Sequence, residues 1–92
     1  MATIIHPDAS TSETSIPDDV EEALAHLQEI VGGELEVVQI GDRMLVVNEE
    51  GKALRLAPND AAMRIAAEWS NLQQEGVLGV AVLLAAEEAE TF

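Results

Sequence analysis

Apolar residues return along this chain at two different periods, and each change of period marks an element. From Asp18 to Val31 they fall at Val20, Ala23, Leu24, Leu27, Ile30 and Val31, the i, i+3, i+4, i+7 spacing of a helix that buries one face. Asp18 followed by Glu21 has the form of a capping box, and Asp19, Glu21 and Glu22 complement the positive end of the helix dipole. Gly32 supplies the left-handed residue that ends such a helix, and Gly33 frees the turn that follows. From Glu34 the period drops to two. Glu34–Ile40 and Arg43–Asn48 read as strands joined through Gly41 and Asp42, a two-residue connection suited to a hairpin. Leu35 and Val37 share one face of the first strand. In the second, Met44 and Val46 face one way and Leu45 and Val47 the other, so it is apolar on both faces and reads as a central or interface strand.

The rest of the chain is arranged around this hairpin. Before it, Thr3, Ile4 and Ile5 are β-formers, His6 to Ser10 carry turn chemistry, and Thr11 to Ile16 returns as a second extended segment, which predicts an N-terminal β-hairpin. After it, Asn48 to Gly51 predict a turn and Lys52–Ala57 a further strand, with Leu54 and Leu56 alternating against Ala53 and Arg55 until Pro58 breaks it. Asn59 or Asp60 then caps a second helix through about Glu75, whose stripe is Ala62, Ile65, Ala66, Trp69 and Leu72, with Trp69 as a core anchor. Gly76 ends that helix. Val77 to Ala85 is rich in β-branched residues and predicts a strand with buried faces, a helix running into the acidic tail being the alternative, and residues 87–92 are expected to fray. The expectation is one small α+β domain over residues 1–92, with antiparallel strands around the central hairpin, two helices and a C-terminal strand.

Length makes the apolar hairpin consequential. Ninety-two residues build one modest core, and the two-sided apolar strand with the run from Val77 to Ala85 exceeds what such a core covers. A homodimer through a sheet edge or face is therefore expected.

Charge narrows the function classes. Eighteen acids against four bases give a net charge of −14. Residues 1–36 hold nine acids and no base, and Arg43, Lys52, Arg55 and Arg64 are the only cations of the chain's side chains apart from histidine. No electropositive track for phosphates can be built from these, so direct nucleic-acid binding is not expected. The acidity fits adaptation to high salt, imitation of a phosphate backbone to capture a DNA-binding partner, or plain solubility. Without cysteine there is no disulfide, thiolate ligand or thiol nucleophile. The polar start lacks a secretory pattern, and the longest apolar run is half a membrane helix, so a cytoplasmic protein with no membrane partner is expected.

Candidate chemistry is sparse. His6 and His26 stand at no spacing that makes a site, the first-turn acids read as helix caps, and no loop carries the spaced D-x-D-x-D-G set of a calcium site or a glycine-rich phosphate cradle. No enzyme, metal or cofactor is expected.

VGG at Val31 to Gly33, E-V-V at Glu36 to Val38, L-V-V-N-E-E-G at Leu45 to Gly51, P-N-x-A-A at Pro58 to Ala62 and a late V-x-G-V around Val77 to Val80 together resemble the domain-of-unknown-function 3846 family, as does the opening I-I-H-P-D. Glu34 stands where that family often has an aromatic, and Ala9 where a turn glycine is usual. The resemblance implies a small protein of phages, plasmids or their prokaryotic hosts and says little about activity. The leading expectation is thus a non-enzymatic accessory protein of phage or mobile-element origin that binds a protein partner, such as a host defence or regulatory factor. The alternatives are an oligomeric sponge for a nucleotide or other small molecule, and an acidic DNA mimic. Asn48, Glu49 and Asn59 lie in the family-like motifs without being needed to fill a core, and they are the candidate binding residues, placed where the VNEE turn and the P-N helix start could meet.

Overall fold

The computed structural model describes residues 1–69 and 77–90, without the side chains of Glu68 and Trp69. Its element order is β1 (Ala2–Ile5), β2 (Thr11–Thr14), α1 (Val20–Val31), β3 (Leu35–Ile40), β4 (Arg43–Asn48), α2 (Asp60–Trp69), β5 (Ala81–Leu84) and α3 (Ala86–Ala89). The strands form one antiparallel sheet in the order β2-β1-β5-β4-β3. This is the expected α+β layout, with the C-terminal run a strand over Ala81–Leu84 only, its first half making a single bridge from Leu78 to Pro58.

Both expected hairpins form, and their turns follow from their residues. Gly41 takes φ +60 while Asp42 stays in the ordinary region, the φ pattern of a type II′ turn, which sets Ile40 opposite Arg43 and runs the pairing back to Leu35 opposite Asn48. In the first hairpin the Ala9 amide donates to the His6 carbonyl and the His6 amide to the Ser10 carbonyl. Ala9 sits at φ +73, a left-handed residue after a turn and the place where a glycine is usual. The Asp8 carboxylate accepts from the Ser10 hydroxyl and amide, and these bonds hold its pKa below the ordinary aspartate value. The folded-state pKa being the lower, this contribution is present above the unfolded aspartate range and is lost as pH falls through the folded value. Ala9→Gly removes the Cβ penalty of the left-handed region, so we expect it to raise stability by up to about 1 kcal/mol, read as a higher melting temperature.

β4 is internal, as its two apolar faces require, but both faces are covered within this chain. Val46, Val82, Leu84 and Ala2 pack with Leu27 and Val31 of α1 on one side. Leu45, Val47, Ala81 and Ile5 pack with Ala62 and Ala66 of α2 on the other. A helix on each face of the sheet thus covers β4 within one chain, while Val20, Leu24, Val37 and Leu54 stay exposed.

Four local expectations are corrected. Asp19, not Asp18, is the N-cap of α1, with its Oδ2 accepting from the Glu22 amide at 3.0 Å. The buried line of α1 is Ala23, Leu27 and Val31, while Val20 and Leu24 stay exposed, because a helix lying flat on a sheet buries a narrower stripe than the periodicity offered. The stretch Lys52–Ala57 is not a strand. It makes one helical turn closed by Arg55 at φ +56, with the Leu56 amide donating to the Gly51 carbonyl and the Arg55 amide to the Lys52 carbonyl. That is a Schellman closure, and it points Leu54 to solvent. Lastly, the acidic end is ordered through Glu90: α3 buries Ala89, and Glu88 accepts from the Ala85 amide at 3.0 Å and lies 3.7 Å from the Met1 ammonium. Acids in a first helical turn meet the positive end of its dipole, which offsets their crowding. The expected end of the second helix at Glu75, Leu72, Gly76, the Trp69 side chain and residues 91–92 lie outside the described residues.

Candidate functional site

The three candidate residues occupy different roles. Asn48 is buried, and its amide donates to the Val31 carbonyl at 3.0 Å while its Oδ1 accepts from the Glu50 amide at 2.7 Å. It therefore ties the last carbonyl of α1 to the turn after β4. Gly33 makes room for it, since a Cβ there would lie 3.1 Å from the Asn48 Nδ2. Asn59 is fully buried. Its Nδ2 donates to the carbonyls of Ile5 and Gly79, each at 2.9 Å, and its Oδ1 accepts from the Ala62 amide at 3.1 Å. One side chain thus caps α2 and clips it to the end of β1 and to the Gly79 bend that precedes β5. Glu49 is exposed, with its backbone amide bound to the Glu34 carbonyl at 2.8 Å.

Asn48 and Glu49 share a shallow depression of about 200 Å³ with Glu36, Val47, Gly51, Lys52 and Leu78. Asn59 is not in its lining. The segment from Val77 to Gly79 stands between the two motifs: Leu78 pairs with Pro58 and packs at the Gly51 position, while Gly79 takes the Asn59 bond. The VNEE turn and the P-N helix start are thus neighbours through a third segment rather than one patch. Sequence reading missed Glu36 and Lys52. The first was findable, because the Gly41–Asp42 turn fixes the register that sets Glu36 beside Val47.

Beside this depression runs the outer edge of the sheet, with which no strand among the described residues pairs. β3 is terminal in the strand order. The Glu49-to-Glu34 bond and the pairing of Ile40 with Arg43 fix the alternation: Glu36, Val38 and Ile40 turn their backbone groups toward β4, and Leu35, Val37 and Gln39 turn theirs outward. Val37 is 49 % exposed.

The profile of the family described as Domain of unknown function (DUF3846) matches residues 1–92. The chain belongs to the DUF3846 family. No curated protein and no solved structure matches it. The motifs that carry the DUF3846 resemblance are keystones of the fold: Gly32 at φ +82 ends α1, Gly33 and Asn48 fit each other, Gly51 meets Leu78, and Asn59 joins α2 to β1. Among the described residues no group of three or more His, Cys, Asp or Glu is placed to hold a metal ion. No described helix is long and apolar enough to cross a membrane.

The acidity of this DUF3846 chain has a measurable consequence. Fourteen excess negative charges on so small a body repel one another, and salt near 1 M, where the Debye length is about 3 Å, screens that repulsion. We expect the melting temperature to climb as sodium chloride rises beyond physiological levels. A flat or falling curve removes adaptation to high salt as the reason for the charge.

Proposed function

We infer that this DUF3846 protein is a non-enzymatic accessory protein, of phage or mobile-element origin and cytoplasmic, that works by binding a protein partner. The observation that carries this reading is the outer edge of β3. It presents the backbone groups of three outward residues in a six-residue strand, with a half-exposed valine at its middle. Such an edge is a template for another chain unless something covers it. The opposite edge, β2, is the shorter and wholly polar Thr11–Thr14. A catalytic reading has less to rest on, since Asn48 and Asn59 spend their polar atoms on the fold. A sponge for anionic nucleotides would place its ligand in a shallow depression edged by Glu36 and Glu49, with Lys52 the one cation there.

The reading is tested by capture from host lysate on the immobilised protein, in parallel with a Val37→Pro variant. Val37 turns its N–H outward, so proline there removes an edge donor and no ladder bond. A protein retained by the unmodified chain and lost by the variant supports partner binding through β3. Recovery of a small molecule from the purified protein, with no protein retained, replaces it with the sponge.

A further inference from the structure

The chemistry of the segment that β3 would accept can be read from the two sides of its edge, and this step rests on the protein-binding reading. On the α1 side the neighbours are apolar. His26 of α1 hydrogen-bonds Thr14 of β2 at 2.8 Å, so that flank of the helix looks toward the far edge of the sheet. At about 100° per residue, Leu24 falls on the opposite flank of the Ala23–Leu27–Val31 line, toward β3, with Val20 one turn before it. Leu24, Val20 and Val37 are 38 %, 45 % and 49 % exposed, and Val37 shares the α1 face with Leu35 and Val46. An apolar strip therefore lines one side of the open strand.

The other side is acidic. Glu36 lies beside Val47 on the face that α2 covers, and Glu49 stands in the same depression. From Glu34 to Lys52 the chain carries five acids, Glu34, Glu36, Asp42, Glu49 and Glu50, against Arg43 and Lys52. A second copy of this chain would bring the same acids and a further net −14 to the edge, whereas a basic segment is drawn to it.

We propose that β3 binds, by strand addition, an extended segment of a partner protein in which apolar and basic residues alternate. Side chains of an added strand point alternately to the two faces. Its apolar residues then lie beside Val37 and Leu24, and its lysines or arginines beside Glu36, with Glu49 one strand further in on the same face, while its backbone pairs with Leu35, Val37 and Gln39.

The test uses capped nine-residue peptides alternating lysine with valine, or glutamate with valine, titrated into the ¹⁵N-labelled full chain at low and physiological salt. The expected result is a shift of the amides of Leu35, Val37 and Gln39 by the lysine peptide and affinity about tenfold or more above that of the glutamate peptide. Raising the salt weakens it. Val37→Pro should abolish the binding, and Glu36→Lys, which leaves the backbone donors in place, should reduce or reverse the preference for lysine. Equal affinity for the two peptides overturns the proposal, as do shifts scattered over the acidic surface and indifferent to Val37→Pro. So does a dimer in sedimentation that excludes the peptide from β3. A lysate protein that is lost with Val37→Pro, together with no preference for the lysine peptide, overturns the segment chemistry and leaves the protein-binding reading standing. Failure of both experiments removes both.

Discussion

Replacing Asn59 by alanine is expected to cost roughly 3 kcal/mol or more, a large part of the 5–15 kcal/mol that holds a typical domain together. The substitution strands the Ala62 amide and withdraws a donor from two buried carbonyls, those of Ile5 and Gly79. A lost N-cap alone typically costs about 1 kcal/mol, so anything well beyond that measures the clip to β1 and the Gly79 turn. Asn59→Ser separates the two parts, since a serine hydroxyl can accept from the cap amide yet, shorter and with a single proton, cannot donate to both the Ile5 and Gly79 carbonyls. Urea unfolding of the three proteins should rank asparagine above serine above alanine. Equal midpoints for serine and asparagine would mean that Asn59 acts as a cap only.

The second large effect is expected at β4. Leu45 is fully buried against the α2 side of the sheet, and truncation of such a leucine to alanine costs about 2–5 kcal/mol. Where the burial comes from decides how that loss behaves. α2 covers Leu45 within one chain, so the loss should be the same at micromolar and at hundredfold higher protein concentration. A concentration-dependent loss would place β4 at a subunit boundary instead, because stability linked to association follows mass action. Val37→Ala on the exposed edge should stay within about 0.5 kcal/mol, as surface substitutions generally do.

Much of this architecture was legible before the structure because its signals are local. Gly32 and Gly41 mark places where a left-handed residue is needed, and both take positive φ. Period-two alternation named β4 to the residue and called it internal. What periodicity does not contain is which flank of an amphipathic helix meets the sheet. Val20 and Leu24 satisfy the helical spacing as well as Leu27 does, yet the side occupied by β2 and the His26–Thr14 bond turns them outward. The same limit explains Lys52–Ala57. Leu54 and Leu56 alternate as a strand should, but β4, which they follow in the chain, is already flanked by β3 and β5, and Arg55 closes a helical turn. Asn48 and Asn59 stood out because they lie in the family-like motifs and are not needed to fill a core. Their partners, the carbonyls of Val31, Ile5 and Gly79, lie in other elements and could not be named from spacing.

The sheet's middle strand is its last in sequence. β1 with β2 and β3 with β4 can each close as a hairpin from neighbouring residues, whereas β5 must slot between β1 and β4. During synthesis or refolding both hairpins therefore wait with an inner edge unsatisfied, and contacts spanning most of the chain form late and slowly. Unpaired edges in that interval invite pairing with neighbouring chains, and a net charge of −14 on every copy opposes such encounters.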